Sequence, residues 1–301
     1  MVVDPLLILF GVGVGFLVGM TGIGGGSLMT PLLIIVVGIH PVTAIGSDLA
    51  YGAVTKTVGG IKHLRQRTVA IRLSSWMAVG SVPAAVLGVY VLEALERAYR
   101  GDFESLLLTM VAGAVLFSGV ATLVRAVFLT KLIERERRGF RLTKKDRVVA
   151  ATVGVFVGFV LGITSAGSGA LIAVALIYIF RLVPTRVVGT DVFHAALLLW
   201  AAALAHIVAG NVDYALVGTI LLGSLPGVWC GSHMSVRLPT GALRTALGVV
   251  LVGAGLGLLS KAGVEVPAPL IAAVPIALAI LIGSSELARR LGPPRSRRAR
   301  A

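Results

Sequence analysis

The sequence is short of charge, of aromatic residues and of cysteine. Of its 301 residues, 13% are charged and 6% aromatic, and there is one cysteine, Cys230. A soluble domain carries about 25% charged residues, so a chain with 57% hydrophobic residues has too little polar surface to face water. A single thiol forms no intrachain disulfide and no cysteine-rich metal site. Acids are the scarcest charge, with 13 Asp and Glu against 27 Lys and Arg. These shortages exclude a soluble enzyme, a disordered chain and a disulfide-stapled secreted domain. What is abundant is long apolar sequence, as in 148–180 and 187–236. About 20 apolar residues cross a bilayer, so this is the composition of an all-α polytopic membrane protein.

The excess of +14 is confined to short segments. Lys62, Arg65, Arg67 and Arg72 crowd one loop, 131–147 holds eight basic and three acidic residues, and the tail holds Arg289, Arg290, Arg295, Arg297, Arg298 and Arg300. Lys and Arg gather on the cytoplasmic side of membrane proteins. The charge is therefore a topology signal that implies membrane lipids as partners, not nucleic acid.

An internal repeat organises the chain. Residues 15–31, GFLVGMTGIGGGSLMTP, align with 158–174, GFVLGITSAGSGALIAV, at an offset of 143. The offset persists without a gap. It matches Pro41 with Pro184, Gly46-Ser47-Asp48 with Gly189-Thr190-Asp191, His63 with His206, and Gly80-Ser81-Val82-Pro83 with Gly223-Ser224-Leu225-Pro226. Residues 1–128 form the first repeat, 129–147 a basic cytoplasmic linker, 148–260 the second repeat, and 261–301 an added helix with a basic tail.

Each half opens with an apolar stretch, roughly 5–39 and 148–181, broken by glycines at its middle. Each arm has about 15 residues, or about 23 Å as helix, which is shorter than the roughly 30 Å hydrocarbon core. The pattern predicts a Gly-rich, broken or re-entrant helical hairpin. Three spans follow in each half, at about 44–62, 73–92 and 105–128, and at 187–208, 214–236 and 242–260. A hairpin returns to its own side, so each unit crosses an odd number of times and the second copy is inverted. With 62–72 inside, 23 of the 27 basic residues lie in or beside the cytoplasm. This predicts a bacterial inner-membrane protein with its N-terminus outside and its C-terminus inside. Inverted repeats with broken helices are the architecture of many secondary transporters.

The candidate substrate site is the pair of hairpin tips, Thr21, Gly24, Gly25, Gly26 and Ser27 with Thr164, Ser165, Gly167, Ser168 and Gly169. The second arms begin there, and helix N-termini with free N–H groups favour an anion. Glycines that only permit close helix packing are the alternative. Asp48 and Asp191 are ionisable residues early in spans, hence candidates for gating or coupling or helix caps. Helical spacing puts Tyr51 beside Asp48 and His194 beside Asp191, and Lys56 borders the first face. His63 and His206 are expected at opposite membrane edges, and Pro83 and Pro226 inside helices. No metal-ligand cluster and no cofactor motif is apparent, so no cofactor is expected. Ser168, Asp191 and His194 make a triad on paper, but nothing in their spacing requires one. No catalytic residue is assigned and the protein is not expected to be an enzyme.

The Gly-rich first hairpin, Gly46-Ser47-Asp48 and Gly80-Ser81-Val82-Pro83 resemble the first half of the sulfite exporter TauE/SafE family. Gly189-Thr190-Asp191, Gly210-Asn211-Val212-Asp213 and Gly223-Ser224-Leu225-Pro226-Gly227 resemble its second half. The resemblance covers about 11–260. It implies export of a small sulfur-containing anion such as sulfite, a sulfonate or an organosulfonate across the inner membrane, bound near mid-membrane between the tips. A proton-coupled importer, or a carrier of another small anion, is the alternative. The second tip, Ser165-Ala166-Gly167-Ser168-Gly169, has fewer glycines than the first. The sequence leaves the oligomeric state open, a homodimer included.

Overall fold

The computed structural model describes residues 5–21, 26–99, 101–132, 142–166, 168–235 and 240–291. The described residues form helices α1 (Pro5–Thr21), α2 (Gly26–Leu32), α3 (Pro41–Arg65), α4 (Ile71–Ala98), α5 (Phe103–Leu132), α6 (Lys144–Thr164), α7 (Ser168–Tyr178), α8 (Pro184–Val208), α9 (Tyr214–Ser235), α10 (Thr240–Lys261) and α11 (Ala268–Leu291). A π-helical turn, Leu33–Val37, extends α2 and ends at Gly38 in the left-handed region. Pro41 and Pro184 open α3 and α8, where a missing N–H costs nothing. Thr143 and Asp146 form a reciprocal capping box at the start of α6. Pro83 and Pro226 lie inside α4 and α9, as expected.

The described parts of α4, α5, α6, α8 and α9 are each long and apolar enough to cross a membrane. Of the hairpin arms, α1 has 17 residues and α7 has 11, whereas α6 has 21 and exceeds the expected arm length because its polar first turn, 144–147, extends the apolar stretch. α3 has 25 residues but carries Asp48, Lys56, Lys62 and Arg65. The fold is therefore all-α and polytopic. The expected helix order holds, with most spans extended by a few residues beyond their apolar stretch and α9 ending at Ser235, one residue short of it.

The helices pack through glycines, and the contacts come in mates. A Cβ on Gly15 would strike the backbone of Ser224, and one on Gly158 that of Ser81. Gly80 abuts the Ala151 carbonyl and Gly223 that of Ile8; Gly88 abuts the Phe159 carbonyl and Gly231 that of Phe16. Shifting both residues of a contact by 143, in opposite directions, turns it into its mate. Residue numbers rise together along these seams, so α1 runs parallel to α9 and α6 parallel to α4. Across α3 and α8 they run oppositely: Gly52 meets Leu199 and Gly59 meets Val192. α5 and α10 are likewise opposed, with Gly119 on Val252 and Gly255 on Leu116. Each of these helices thus meets its own counterpart head to tail. Two reciprocal hydrogen bonds tie the halves: Ala70 N–H donates to Thr190 Oγ1 at 2.8 Å, and Asp213 N–H to Ser47 Oγ at 3.0 Å.

Candidate substrate and coupling site

α6 ends at Thr164, and Ser165 then turns left-handed with φ at 56°. That turn carries the Ser165 hydroxyl onto Asp48 of α3, where Oγ donates to Oδ2 at 2.5 Å. The Thr30 hydroxyl, from α2, donates to the same Oδ2 at 2.6 Å and lies 2.8 Å from Ser165 Oγ. Three segments thus converge on one carboxyl group: the second arm of the first hairpin, the span after it, and the tip of the second hairpin. Asp48 is 1% exposed, and its Oδ1 has no hydrogen-bond partner among the described residues.

Asp191 does not repeat this arrangement. At the offset of 143, Thr30 corresponds to Ala173 and Ser165 to Gly22. The two acids also lie far apart. The α3–α8 contacts put Val192 level with Gly59, so Asp191 sits near residue 60, about 12 residues or about 18 Å of helix from Asp48. Asp191 is buried.

Lys56 lies about two turns beyond Asp48 on α3. The same register puts the midpoint of the α3–α8 crossing near residues 54 and 197, so Lys56 is beside the centre of the repeat. It is buried, and Nζ has no hydrogen-bond partner among the described residues. An unpaired buried ammonium is costly and calls for a counter-charge. Its counterpart at the offset is Leu199, so the centre carries one cation and not two. Tyr51 is buried, and its hydroxyl has no hydrogen-bond partner among the described residues.

His194 is wholly buried, with Nδ1 3.3 Å from Ser74 Oγ and Nε2 3.1 Å from Ser81 Oγ. It clamps α8 to α4. His63 meets Thr68 Oγ1 at 3.0 Å near the end of α3. His206, two residues before the end of α8, is buried, with Nε2 3.2 Å from the Gly162 carbonyl and Nδ1 3.4 Å from Asn211 Nδ2.

Of the other tip residues, Thr21 closes α1, Gly26 opens α2 and Ser168 opens α7. Ser27, Thr164 and Gly169 are buried. Gly24, Gly25 and Gly167 lie outside the described residues. Sequence reasoning missed Thr30, and also Ser118 and Thr122. These last two, one turn apart on α5, are buried with no hydrogen-bond partner among the described residues. A hydroxyl in an apolar run is the only signal for all three.

The family model described as Sulfite exporter TauE/SafE matches residues 7–258. The chain belongs to this family. Among TauE/SafE relatives, it is 38% identical over 253 residues to the probable membrane transporter protein YjnA of Bacillus subtilis (strain 168), covering 84% of this chain and 98% of that protein. It is 26% identical over 249 residues to the probable membrane transporter protein YdhB of the same organism, covering 81% and 96%. A probable membrane transporter protein of Xylella fastidiosa (strain Temecula1 / ATCC 700964) is 27% identical over 257 residues, covering 84% and 94%. No solved structure matches the chain. Membership in TauE/SafE makes the protein a membrane transporter and not an enzyme. Among the described residues, no three His, Cys, Asp or Glu side chains group as metal ligands.

Proposed function

We propose that the protein is a secondary carrier that exports a small sulfur-containing anion, such as sulfite, a sulfonate or an organosulfonate, across the bacterial inner membrane. The observation that carries the reading is Lys56, a buried ammonium without a protein partner among the described residues, at the centre of the repeat. The anion binds there, between the two hairpin tips, and neutralises Lys56 while it is bound. The N-terminus of α7, with the backbone beyond Ser165, offers it N–H donors from the second tip. Opposed running of α3 against α8 and of α5 against α10 supports an inverted repeat in the bilayer. The loop charges support an N-terminus outside and a C-terminus in the cytoplasm.

Asp48 favours a second reading, proton-coupled import or carriage of another small anion. A buried carboxyl with one oxygen unpartnered among the described residues is a place for a proton to bind and leave.

Flux of radiolabelled sulfite from proteoliposomes tests the first reading. Wild type is expected to release it and Lys56→Gln to release it at least tenfold more slowly. Gly25→Leu and Ser168→Leu are expected to abolish release while the protein stays in the membrane. Release at the wild-type rate by Lys56→Gln would remove the reading of that residue, and normal transport by both Leu variants would put the path elsewhere.

A further inference from the structure

We propose that the groove at the starts of α4, α6 and α8 binds the phosphate headgroup of an anionic phospholipid. Two adjoining cavities make the groove, sharing Trp76 and Arg147. The larger, about 790 Å³, is lined by Arg72, Arg147 and Arg186. The other, about 500 Å³, runs down α6 past Val148, Ala151 and Val155 and is nearly all apolar. A cationic cup that opens into an apolar gutter has the two-part chemistry of a phospholipid: phosphate in the cup, acyl chain in the gutter. Val148 and Val155 are 68% and 49% exposed, so the gutter is open to such a chain.

The three arginines are left with charge to spare. None of them makes an ion pair among the described residues. Each lies in the first turn of its helix, where a cation gains nothing from the helix dipole. The one acid in these turns, Asp146, takes the Thr143 N–H and hydroxyl at its Oδ2. The Arg147 guanidinium lies over the Trp76 ring at 5.6 Å. This contact uses the charge of the guanidinium and none of its N–H groups as hydrogen-bond donors to a carboxylate, which leaves donors for a phosphate.

The repeat supplies an internal control. At the offset of 143, Arg72, Arg186 and Trp76 correspond to Ala215, Thr43 and Thr219, and Arg147 to Asp4. The other half therefore carries none of these residues at the matching positions. A general excess of positive charge on the cytoplasmic side accounts for arginines along that side, but not for three of them around one cup beside a tryptophan and a gutter. Basic clefts between helices at this level suit anionic headgroups.

Native mass spectrometry of the detergent-purified protein, incubated with equal amounts of phosphatidylglycerol and phosphatidylcholine, tests this. Phosphatidylglycerol is expected to be retained preferentially. Arg72→Gln, Arg147→Gln and Arg186→Gln are each expected to lower its retention about fivefold, and Arg97→Gln to leave it unchanged. Inorganic phosphate, glycerol phosphate and sulfite, at concentrations equal to the lipid, are expected not to displace it. Equal retention of phosphatidylcholine, unchanged retention in all three variants, or displacement by a free anion would each overturn the proposal. The last outcome would make the cup a seat for small anions. The lipid competition uses the unmodified chain, so it decides the question even where a variant does not fold.

Discussion

Ser165 Oγ donates to Asp48 Oδ2 at 2.5 Å, and these two residues are 117 positions apart in the chain. The contact latches the second hairpin tip to the span that follows the first hairpin. Thr30 is the other half of the latch. Removing one donor from a buried carboxyl oxygen costs about 1–3 kcal/mol. Ser165→Ala and Thr30→Val are each expected to lower thermal stability in detergent by that amount. The double variant is expected to lose less than the sum, because the hydroxyls also touch one another at 2.8 Å. Additive losses would mean that the two hydroxyls act independently.

The paired glycine seams make a second prediction. Gly15 and Gly158 face backbone atoms, which cannot swing aside as a side chain can. Gly15→Ala and Gly158→Ala are each expected to destabilise by about 1–3 kcal/mol through overpacking. Gly113 and Gly218 have open space where a Cβ would go. Their Ala variants are expected to be neutral or slightly stabilising, since Ala is the better helix former. Equal behaviour of the two sets in thermal unfolding would refute the packing argument.

Topology is testable with an impermeant thiol reagent. The native Cys230 is exposed and is first replaced by Ser. Cysteine at Arg67, in the loop before α4, is expected to resist reagent added outside intact cells. Cysteine at Tyr214, the first residue of α9 and 62% exposed, is expected to react. The reverse labelling would place the N-terminus in the cytoplasm and reverse the orientation of the carrier.

These glycine seams are also why much of the fold is legible in the sequence. A backbone that approaches another backbone tolerates only glycine, so the contact between Gly80 and Ala151 and its mate between Gly223 and Ile8 leave glycines at one offset. Ser47 and Thr190 are legible for the same reason, since each caps the other half's loop. Residues that break the symmetry are not legible. Thr30 has Ala173 as its counterpart, so a search for matched pairs passes over it, although it holds Asp48. Asp48 stands out as an acid early in a span, but its partners come from α2 and the second tip, and only tertiary structure brings those together. The burial of His206 follows from the approach of Gly162, which spacing along one helix does not reveal. The π-helical turn at Leu33–Val37 has no sequence signal in a run of aliphatic residues.

The last prediction concerns energetics. Moving one charge across the membrane is worth about 2.3 kcal/mol per 100 mV. A cell's interior is negative, so an anion leaves down the electrical gradient and its export needs no coupled cation. In an exporter, Asp48 therefore serves as the fixed point on which Ser165 and Thr30 dock, not as a carrier of protons. Asn keeps the size of Asp and an oxygen that accepts both hydroxyls, but it cannot exchange a proton. Leu offers no acceptor, so the two hydroxyls are left with only each other as partners. Asp48→Asn is thus expected to retain at least a third of wild-type potential-driven anion efflux from proteoliposomes, and Asp48→Leu to lose it. The same contrast is expected at Asp191, which is also buried in a span. Complete loss of efflux in either Asn variant, together with substrate-dependent proton movement in the wild type, would instead favour proton-coupled transport. Asp48 would then be the first place to look for the proton, because its Oδ1 lacks a partner among the described residues while Oδ2 holds the second hairpin tip.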